Sequence, residues 1–470
     1  MSDGVAPSAV ATAAMADDLD PAKSATKIPV SAWLGLAALS VVNIYAVIDR
    51  QIFGLLAEPI RKDMGLSDTQ LGLLQGVGLT LVGILTVYPI SWLGDRMDRR
   101  KISAAVILLW SVAVVGCGFS PNFAWLFLFA SLVGIGENAR APVAFAMLPD
   151  LFPVSGRQLG NSIYVLVTVI STSVSSFLTG LLVSEIGAVR AFLPAALADL
   201  PDWRLSFIIA ASFVPFAILL TLNMPARTAG PGAVAKAARK IDSAAASPIA
   251  DPGQISIWRF IWQNREAQFG FNIAFMVQVF GVAAGTNYLA IIAMRDYKQT
   301  ALQIGSTVGV LSLVNAAIGF SLAGLLFSRL QPKYGAQVPL MALSLGSLLA
   351  ILGSLLLMQT RTIEQLYAFY CFLAIVLSIG LMTYPTVLQN MTLPHLRARM
   401  FALITIAQLV AGGLGTVAGG VASDVLKSMG VDRSLLVGGG IISVVSSIIA
   451  AIMFWRTRGA YLRLTQQVEA

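Results

Sequence analysis

The chain has 470 residues, of which 57% are hydrophobic and 11% are charged, and its mean hydropathy is +0.80. Soluble globular domains carry about 25% charged residues, so this composition excludes a soluble protein and indicates an integral membrane protein. The formal net charge of +8 would suit a nucleic-acid-binding protein, but most basic residues fall between apolar segments, where they set membrane topology. We therefore expect a lipid bilayer as a partner and no nucleic acid.

The N-terminal segment, residues 1–32, contains Asp17, Asp18 and Asp20 among many alanines and serines. A segment of this composition cannot bury enough apolar surface to fold, so we predict a disordered cytoplasmic tail. The segment also lacks the basic start and short apolar core of a cleaved signal peptide. We expect the first apolar helix to act as the membrane anchor.

Twelve apolar segments follow, most of them close to the ~20 residues that a helix needs to cross a bilayer. The predicted spans are Trp33–Ala57, Thr69–Leu93, Ile102–Gly118, Phe123–Leu148, Asn161–Ile186, Leu205–Asn223, Phe269–Met294, Leu302–Phe327, Val338–Met358, Leu366–Thr392, Met400–Lys427 and Leu435–Trp455. They predict an all-α membrane protein with twelve transmembrane helices. Residues 33–224 form the N-terminal six-helix half, residues 267–456 form the C-terminal half, and residues 457–470 form a second cytoplasmic tail.

Residues 225–266, between the halves, contain Pro231 and Pro252 and no spanning run, which predicts a cytoplasmic linker. Trp258 and Trp262 are four residues apart, which suits a short helix in the membrane interface, and a tethered loop fits them equally well. With the N-terminus inside, 20 of the 31 Lys and Arg residues fall on the cytoplasmic side and 9 on the other. This bias predicts cytoplasmic termini, and we expect the inner (plasma) membrane of a cell.

The two halves repeat each other in their loops. Gly94–Lys101 follows the second span, and Ser328–Lys333 follows the eighth span as a degenerate copy. Leu151–Pro153 follows the fourth span, and Thr392–Pro394 follows the tenth. Parallel six-helix halves with a substrate site between them are a known transporter plan, so the repeats predict two pseudo-symmetric halves.

Ionisable residues lie near the middle of two predicted spans. Asp49 and Arg50 are in the first span and Glu137 is in the fourth, at a depth where a charge costs at least ~2.5 kcal/mol. Adjacent residues point about 100° apart on a helix with 3.6 residues per turn, so Asp49 and Arg50 do not face each other. We predict that Arg50 pairs with Glu137 and that Asp49 faces another polar group or water. Arg140, three residues after Glu137, would compete for the same carboxylate.

Asp49, Glu137 and Arg50 are therefore the candidate proton-coupling residues. Protonation of either carboxylate would release Arg50 and favour one facing of a transporter. The alternative is a permanent structural ion pair that holds the first and fourth helices together.

The loop after the second span is the most specific motif. Its glycine and carboxylates are not required by the topology rule, which explains only its basic residues. A carboxylate there can pair with a neighbouring helix N-terminus, and the arginines can bind carboxylates or lipid phosphates. The predicted gating residues are Gly94, Asp95, Arg96, Asp98, Arg99 and Arg100.

This loop resembles the signature loop of the major facilitator superfamily, and other motifs resemble its spinster branch. Those motifs are Asp49-Arg50, Gly72–Gln75, Tyr88-Pro89, Trp92–Arg96, Gly134–Glu137 and Asp150–Phe152. The resemblance implies a twelve-helix transporter, which we expect to be a bacterial homologue. It also implies a substrate similar to lysolipids or sphingosine phosphates, and for several relatives a proton coupling.

A cavity for an amphiphile needs a basic site for the head group and an apolar wall for the tail. The predicted cavity residues are Arg50, Glu137, Arg140, Tyr164, Asn272, Gln278, Asn287, Tyr288 and Tyr384. For any one of the aromatic residues, packing between helices is the alternative. The seventh span contributes several because it is unusually polar.

An enzyme is not expected, because Cys117 and Cys371 lie within spans and His395 is the only histidine. No metal, disulfide or cofactor is predicted. We expect a monomeric secondary transporter that moves an amphiphilic, lipid-like substrate by alternating access, as a proton-coupled exporter. The alternatives are an exchanger or uniporter of small organic anions, and a lipid scramblase or receptor without coupled transport.

Overall fold

The computed structural model describes residues 28–152, 157–224, 256–393 and 396–469. These ranges contain twelve long helical segments: eleven are long and apolar enough to span a membrane, and the other contains the shorter apolar stretch Phe123–Asn138. The long segments are α1 Val30–Met64, α2 Asp68–Gly72 with Leu73–Gly78 and Leu79–Arg96, α3 Arg99–Gly118, α4 Phe123–Leu151, α5 Arg157–Ser184, α6 Asp202–Ala211 with Val214–Leu222, α7 Arg265–Thr286 with Leu289–Tyr297, α8 Ala301–Tyr334, α9 Val338–Met358, α10 Ile363–Asn390, α11 Arg397–Ser428 and α12 Ser434–Glu469. The predicted twelve-helix membrane fold is confirmed.

Short helices extend the structure beyond the predicted spans. Ile257–Gln263 is helical, with Trp258 and Trp262 exposed and Phe260 and Ile261 buried. This amphipathic helix lies within the predicted linker, whose residues 225–255 are outside the described ranges, as is the predicted tail up to residue 27. The helix α12 continues through the predicted tail to Glu469, and its last turns bury Tyr461 and Leu464 in the same apolar cluster as Phe260.

Three of the long segments are not continuous α-helices. The helix α2 widens into a π-helical segment, Leu73–Gly78. The helix α6 is interrupted at residues 212–213, just before Pro215. The helix α7 is interrupted at Asn287 and Tyr288, which places non-helical backbone at membrane depth. Broken helices at this depth are tolerated where they lie within protein or line a cavity.

The two halves touch through glycines at the end of the bundle opposite to the chain termini, which we call the far end. A Cβ on Gly76 of α2 would lie 2.5 Å from the carbonyl oxygen of Gly413 in α11. A Cβ on Gly305 of α8 would lie 2.3 Å from the carbonyl oxygen of Ser176 in α5. Small residues allow helix backbones to approach this closely in a membrane. The far end is therefore closed by direct backbone packing.

Candidate transport site and its gates

Arg50 and Glu137 form an ion pair that joins α1 to α4, through Arg50 Nη1 and Glu137 Oε1. The pairing that the sequence analysis predicted is present in the structure. The Arg50 side chain is 61% exposed, whereas that of Glu137 is 14% exposed. The guanidinium therefore lies open to an aqueous space while its carboxylate partner is held in the helix packing.

Asp49 points away from this pair, into the interior of the N-terminal half. It is buried, and its Oδ2 accepts a hydrogen bond of 2.9 Å from the indole Nε1 of Trp110 in α3. Its other oxygen, Oδ1, has no hydrogen-bond partner within the described ranges. The two neighbouring charges of α1 thus belong to different environments, as their angular separation on a helix requires.

A central cavity of about 230 Å³ lies between the halves. Among the described residues that line this cavity, Arg50 has the only charged side chain, and the other polar groups are amides and hydroxyls. Its polar lining residues are Arg50, Gln51, Gln75, Thr172, Ser176, Thr286, Asn287, Ser312 and Tyr370. Some are fixed by neighbours: Gln51 Nε2 donates to Ser176 Oγ at 2.6 Å, and Asn287 Nδ2 donates to Thr416 Oγ1 at 2.7 Å.

A second cavity, of about 260 Å³, lies within the C-terminal half between α7, α9, α10 and α12. Thr286 and Asn287, at the interruption of α7, line both this cavity and the central cavity. The walls are mostly apolar, with Gln278, Ser347 and the two shared residues as polar groups. The apolar side chains in the walls are Phe275, Val279, Val282, Ala283, Leu343, Val376, Leu377 and Phe454. A polar, charged cavity and an apolar cavity are thus adjacent.

The structure distributes the predicted cavity residues unevenly. Arg50 and Asn287 line the central cavity, and Gln278 lines the apolar cavity. Asn272 Nδ2 donates to the carbonyl oxygen of Gln268, one turn earlier in α7. The Arg140 side chain lies outside the described part of the chain.

The three predicted cavity tyrosines lie in helix packing in this structure, which is the alternative that the sequence left open for them. Tyr288 is fully buried and its hydroxyl donates to the carbonyl oxygen of Thr416 at 2.6 Å. Tyr384 stacks on Phe275 with ring centroids 4.1 Å apart. Tyr164 is buried within the N-terminal half. An aromatic ring on a helix packs against whichever apolar neighbour the helix arrangement provides, and the sequence does not show which neighbour that is.

At the far end, Arg295 of α7 crosses to two carboxylates of the N-terminal half. It donates to Glu58 Oε2 at 2.9 and 3.2 Å and to the Asp68 carboxylate at 2.7 and 3.0 Å. Both carboxylates are nearly inaccessible, with side-chain exposures of 4% and 2%. Planar guanidinium donors suit this forked geometry, and such charge-assisted bonds are about twice as strong as neutral ones.

Asp424 of α11 makes a second contact between the halves at the far end. Its carboxylate accepts hydrogen bonds from the backbone N–H groups of Asp68 and Thr69, at 3.0 and 2.8 Å, and from Thr69 Oγ1 at 2.6 Å. The first N–H groups of a helix have no partner within that helix, and the helix dipole favours a negative charge there. The C-terminal half therefore caps the start of α2.

A sequence profile described as the Major Facilitator Superfamily matches residues 39–416, which is most of the chain. The chain belongs to this superfamily. Two six-helix halves around a shared cavity are the plan on which these transporters alternate between two facings. The protein is therefore a multi-pass membrane transporter and not an enzyme.

Individual relatives in the superfamily include an efflux pump and spinster-type proteins. The chain is 24% identical over 446 residues to an MFS-type efflux pump of Mycolicibacterium smegmatis, covering 93% of this chain and 94% of that protein. It is 32% identical over 131 residues to the sphingosine-1-phosphate transporter SPNS2 of Mus musculus, covering 27% of this chain and 24% of that protein.

A solved structure of a bacterial homologue of the human lysosomal transporter spinster, in an inward-facing and unoccupied conformation, is similar throughout. The TM-score is 0.72 at 21% identity, and the match covers 93% of this chain and 98% of that one. In the present structure the far end is closed and the Arg50 side chain is exposed. The predicted membership of the superfamily is confirmed, as is the predicted resemblance to its spinster branch.

The signature loop of the superfamily is described only in part. Asp98 caps the start of α3, where its carboxylate accepts from the backbone N–H of Arg100 at 3.0 Å and pairs with the Arg100 guanidinium at 2.8 Å. The hydrogen bond from the Arg100 side chain lowers the pKa of Asp98. The side chains of Gly94, Asp95, Arg96 and Arg99 fall outside the described part, as does His395. A gating role for the loop stays a prediction.

The sequence analysis missed the far-end residues Glu58, Asp68, Arg295 and Asp424, and also missed Trp110. The four charged residues lie near span ends, where the topology rule accounts for charges without a further role. The sequence nevertheless contained a signal for them. Asp68 directly follows Ser67, a typical helix cap, and charges of opposite sign near the far end can pair with each other. No pattern in the sequence marks Trp110 as the partner of Asp49.

Proposed function

We propose that this protein is a proton-coupled secondary transporter that exports an amphiphilic, lipid-like molecule. It acts as a monomer in the inner (plasma) membrane with both termini cytoplasmic. The observation that carries the proposal is the Arg50–Glu137 pair, whose guanidinium opens into the central cavity beside an apolar cavity. The efflux-pump relative supports export, and the sphingosine-1-phosphate transporter supports a lipid-like substrate.

The pair supplies a mechanism for exchange. A zwitterionic head group, such as one with a phosphate and an amine, would bind Arg50 through its anionic part and Glu137 through its cationic part. Protonated Glu137 no longer attracts the cationic part and no longer holds Arg50. Proton and substrate therefore compete for one site, which is the condition that an exchanger needs.

The adjacent cavities supply the selectivity for an amphiphile. The apolar cavity of about 260 Å³ has room for roughly nine groups of the size of water, at about 30 Å³ each. A methylene group has a similar size, so this cavity matches the beginning of a hydrocarbon tail. The shared residues Thr286 and Asn287 place that tail beside a head group at Arg50.

The test uses purified protein in liposomes with an imposed proton gradient. Glu137→Gln keeps the size of the side chain but cannot be ionised, so we expect it to lose gradient-driven transport. Substrate counterflow should persist with a weaker apparent affinity, because Arg50 still binds the anionic part of the substrate while the cationic part has lost its partner. The matched control is Glu266→Gln, which removes an ion pair with Arg463 at a carboxylate that is 77% exposed, and it should behave as wild type. Gradient-driven transport that survives in both Glu137→Gln and Asp49→Asn would end the proton role.

A second candidate is exchange or uniport of small organic anions. It is favoured by the modest volume and polar lining of the central cavity, where Arg50 is the charged group. A binding screen of lysolipids, sphingoid bases and small carboxylates and sulfonates separates the two candidates. Lipid movement that does not depend on pH, and that persists when the signature loop is mutated, would instead indicate a scramblase or receptor.

A further inference from the structure

A stripe of exposed side chains runs along the start of α7 and the short helix that precedes it. Ile273 and Phe269 of α7 are 45% and 42% exposed, and Trp262 and Trp258 of the short helix are each 65% exposed. Arg265, between the two pairs, is exposed as well. Residues three or four apart lie on the same face of a helix. The five side chains therefore continue the outer face of α7 beyond its first turn.

The short helix Ile257–Gln263 is packed against the C-terminal half, which fixes the direction in which its tryptophans point. Its opposite face buries Phe260 and Ile261 in the apolar cluster of that half. The backbone N–H of Asn264 donates to the carbonyl oxygen of Phe260 at 3.1 Å, and its carbonyl oxygen accepts from Gln268 in α7 at 2.9 Å. Helical hydrogen bonding thus continues through the junction, and the tryptophans face away from the protein.

The stripe crosses from the hydrocarbon layer of the bilayer into the headgroup layer. Phe269 and Ile273 are exposed apolar side chains on a membrane-spanning helix, so lipid tails cover them. Arg265 precedes Phe269 by one turn, about 6 Å. A bilayer of ~40–45 Å with a core of ~30 Å has a headgroup layer of about 5–8 Å on each side. The Arg265 guanidinium therefore reaches the level of the lipid phosphates, and Trp262, one turn earlier, belongs to the aromatic residues that favour this layer.

The two arginines of this surface carry charges that no described carboxylate neutralises. Arg259 and Arg265 make no ion pair within the described ranges, and Glu266, the only carboxylate among residues 256–268, is paired with Arg463 at 3.2 Å. The Arg265 guanidinium lies 5.8 Å from the centre of the Trp262 ring. A cation at this distance is attracted to the ring face, so the indole and the guanidinium form one surface.

We propose that Trp258, Arg259, Trp262 and Arg265 form a binding site for the headgroup of an anionic phospholipid. A phosphate with a net negative charge suits the free guanidinium donors, and the indoles cover the adjoining interfacial part of the lipid. Each arginine at the membrane surface favours an anionic lipid by about five-fold. None of the four residues lines the central cavity. The site is therefore separate from the proposed transport function and does not depend on it.

The first experiment measures lipid binding to the purified, delipidated protein by native mass spectrometry, with phosphatidylglycerol and phosphatidylcholine of equal chain length. Arg265→Gln should lower the preference for phosphatidylglycerol about five-fold. The matched control Arg329→Gln removes the same charge from an exposed position at the end of α8 and should keep the preference. An equal loss in both variants would indicate general surface charge and overturn the inference, as would a wild type without preference. Loss in Arg50→Gln alone would place the lipid in the central cavity and also overturn it.

The second experiment locates the lipid by fluorescence quenching in vesicles that contain brominated phosphatidylglycerol or brominated phosphatidylcholine. Trp262→Phe and Trp125→Phe give the contribution of each tryptophan by difference. Trp125 is 49% exposed at the start of α4, and residues 102–136 around it carry no charge. At equal mole fraction, the anionic lipid should quench Trp262 several-fold more strongly, and both lipids should quench Trp125 equally. Equal quenching of Trp262 by the two lipids would overturn the inference. The Arg265 and Arg329 comparison still decides if Trp262→Phe does not fold.

Discussion

Removal of Arg295 should open the far end of the protein. This guanidinium makes four contacts with the carboxylates of Glu58 and Asp68 across the boundary between the halves. Arg295→Gln keeps a long polar side chain but removes the charge. In the closed arrangement, two nearly inaccessible carboxylates are then left without their shared partner. Once the halves separate, water can hydrate both carboxylates, so the substitution destabilises only the closed arrangement.

The magnitude follows from what each carboxylate retains. Removing one partner of a buried ion pair costs about 3–5 kcal/mol. Glu58 keeps Arg61, at 2.8 and 3.0 Å, and Asp68 keeps the hydroxyl of Ser423 at 2.8 Å. We therefore expect about 2–3 kcal/mol, which is roughly a 30- to 150-fold shift toward the state that is open at the far end.

The assay measures distances between spin labels at Gly187 and Arg361, which are exposed positions at the far end of the N-terminal and C-terminal halves. The native Cys117 and Cys371 are replaced by alanine so that only these sites carry labels. Arg295→Gln should add a longer component to the distance distribution and make it the major one.

The matched control is Lys62→Gln. Lys62 Nζ lies 4.0 Å from Glu58, but the side chain is 71% exposed, so its removal should not change the distribution. A single short distance in Arg295→Gln would refute the reasoning, because the network would then contribute nothing to closure. An equal effect of Lys62→Gln would show that net charge matters and that the forked geometry does not.

The remaining predictions concern the other contacts between the halves and the loop. Asp424→Ala removes the cap that α11 provides to α2, and should lower the stability of the closed state by about 1–2 kcal/mol, seen as a longer component in the same spin-label measurement. Gly305→Val should wedge α5 from α8 and open the far end, whereas the control Gly324→Ala, at a position with open space around it, should not. The pKa of Asp98 is lowered by Arg100 in the folded protein, so its stabilising effect is present above the ordinary aspartate range and is lost as pH falls through the folded-state pKa. Melting curves should therefore show an acid destabilisation that is smaller in Asp98→Asn, and identical pH profiles would contradict this.

Much of the architecture follows from local properties of the chain. An apolar segment long enough to cross a bilayer forms a helix because a helix satisfies all of its backbone hydrogen bonds within the segment itself. Each of the twelve spans can therefore be predicted from its own sequence. The Arg50–Glu137 pair was predictable as well. Both residues lie at similar depth, and a buried charge needs a partner of opposite sign.

The other contacts depend on how helices far apart in the chain rotate and pack against each other. Asp49 meets Trp110, 61 residues later, and Arg295 meets Asp68, 227 residues earlier. The tyrosines predicted for the cavity turn into helix contacts for the same reason. The sequence by itself determined which segments cross the membrane and which charges need partners, because length, hydropathy and depth are local. Only the tertiary structure decided which side chains meet, because helix rotation depends on packing with all neighbours at once.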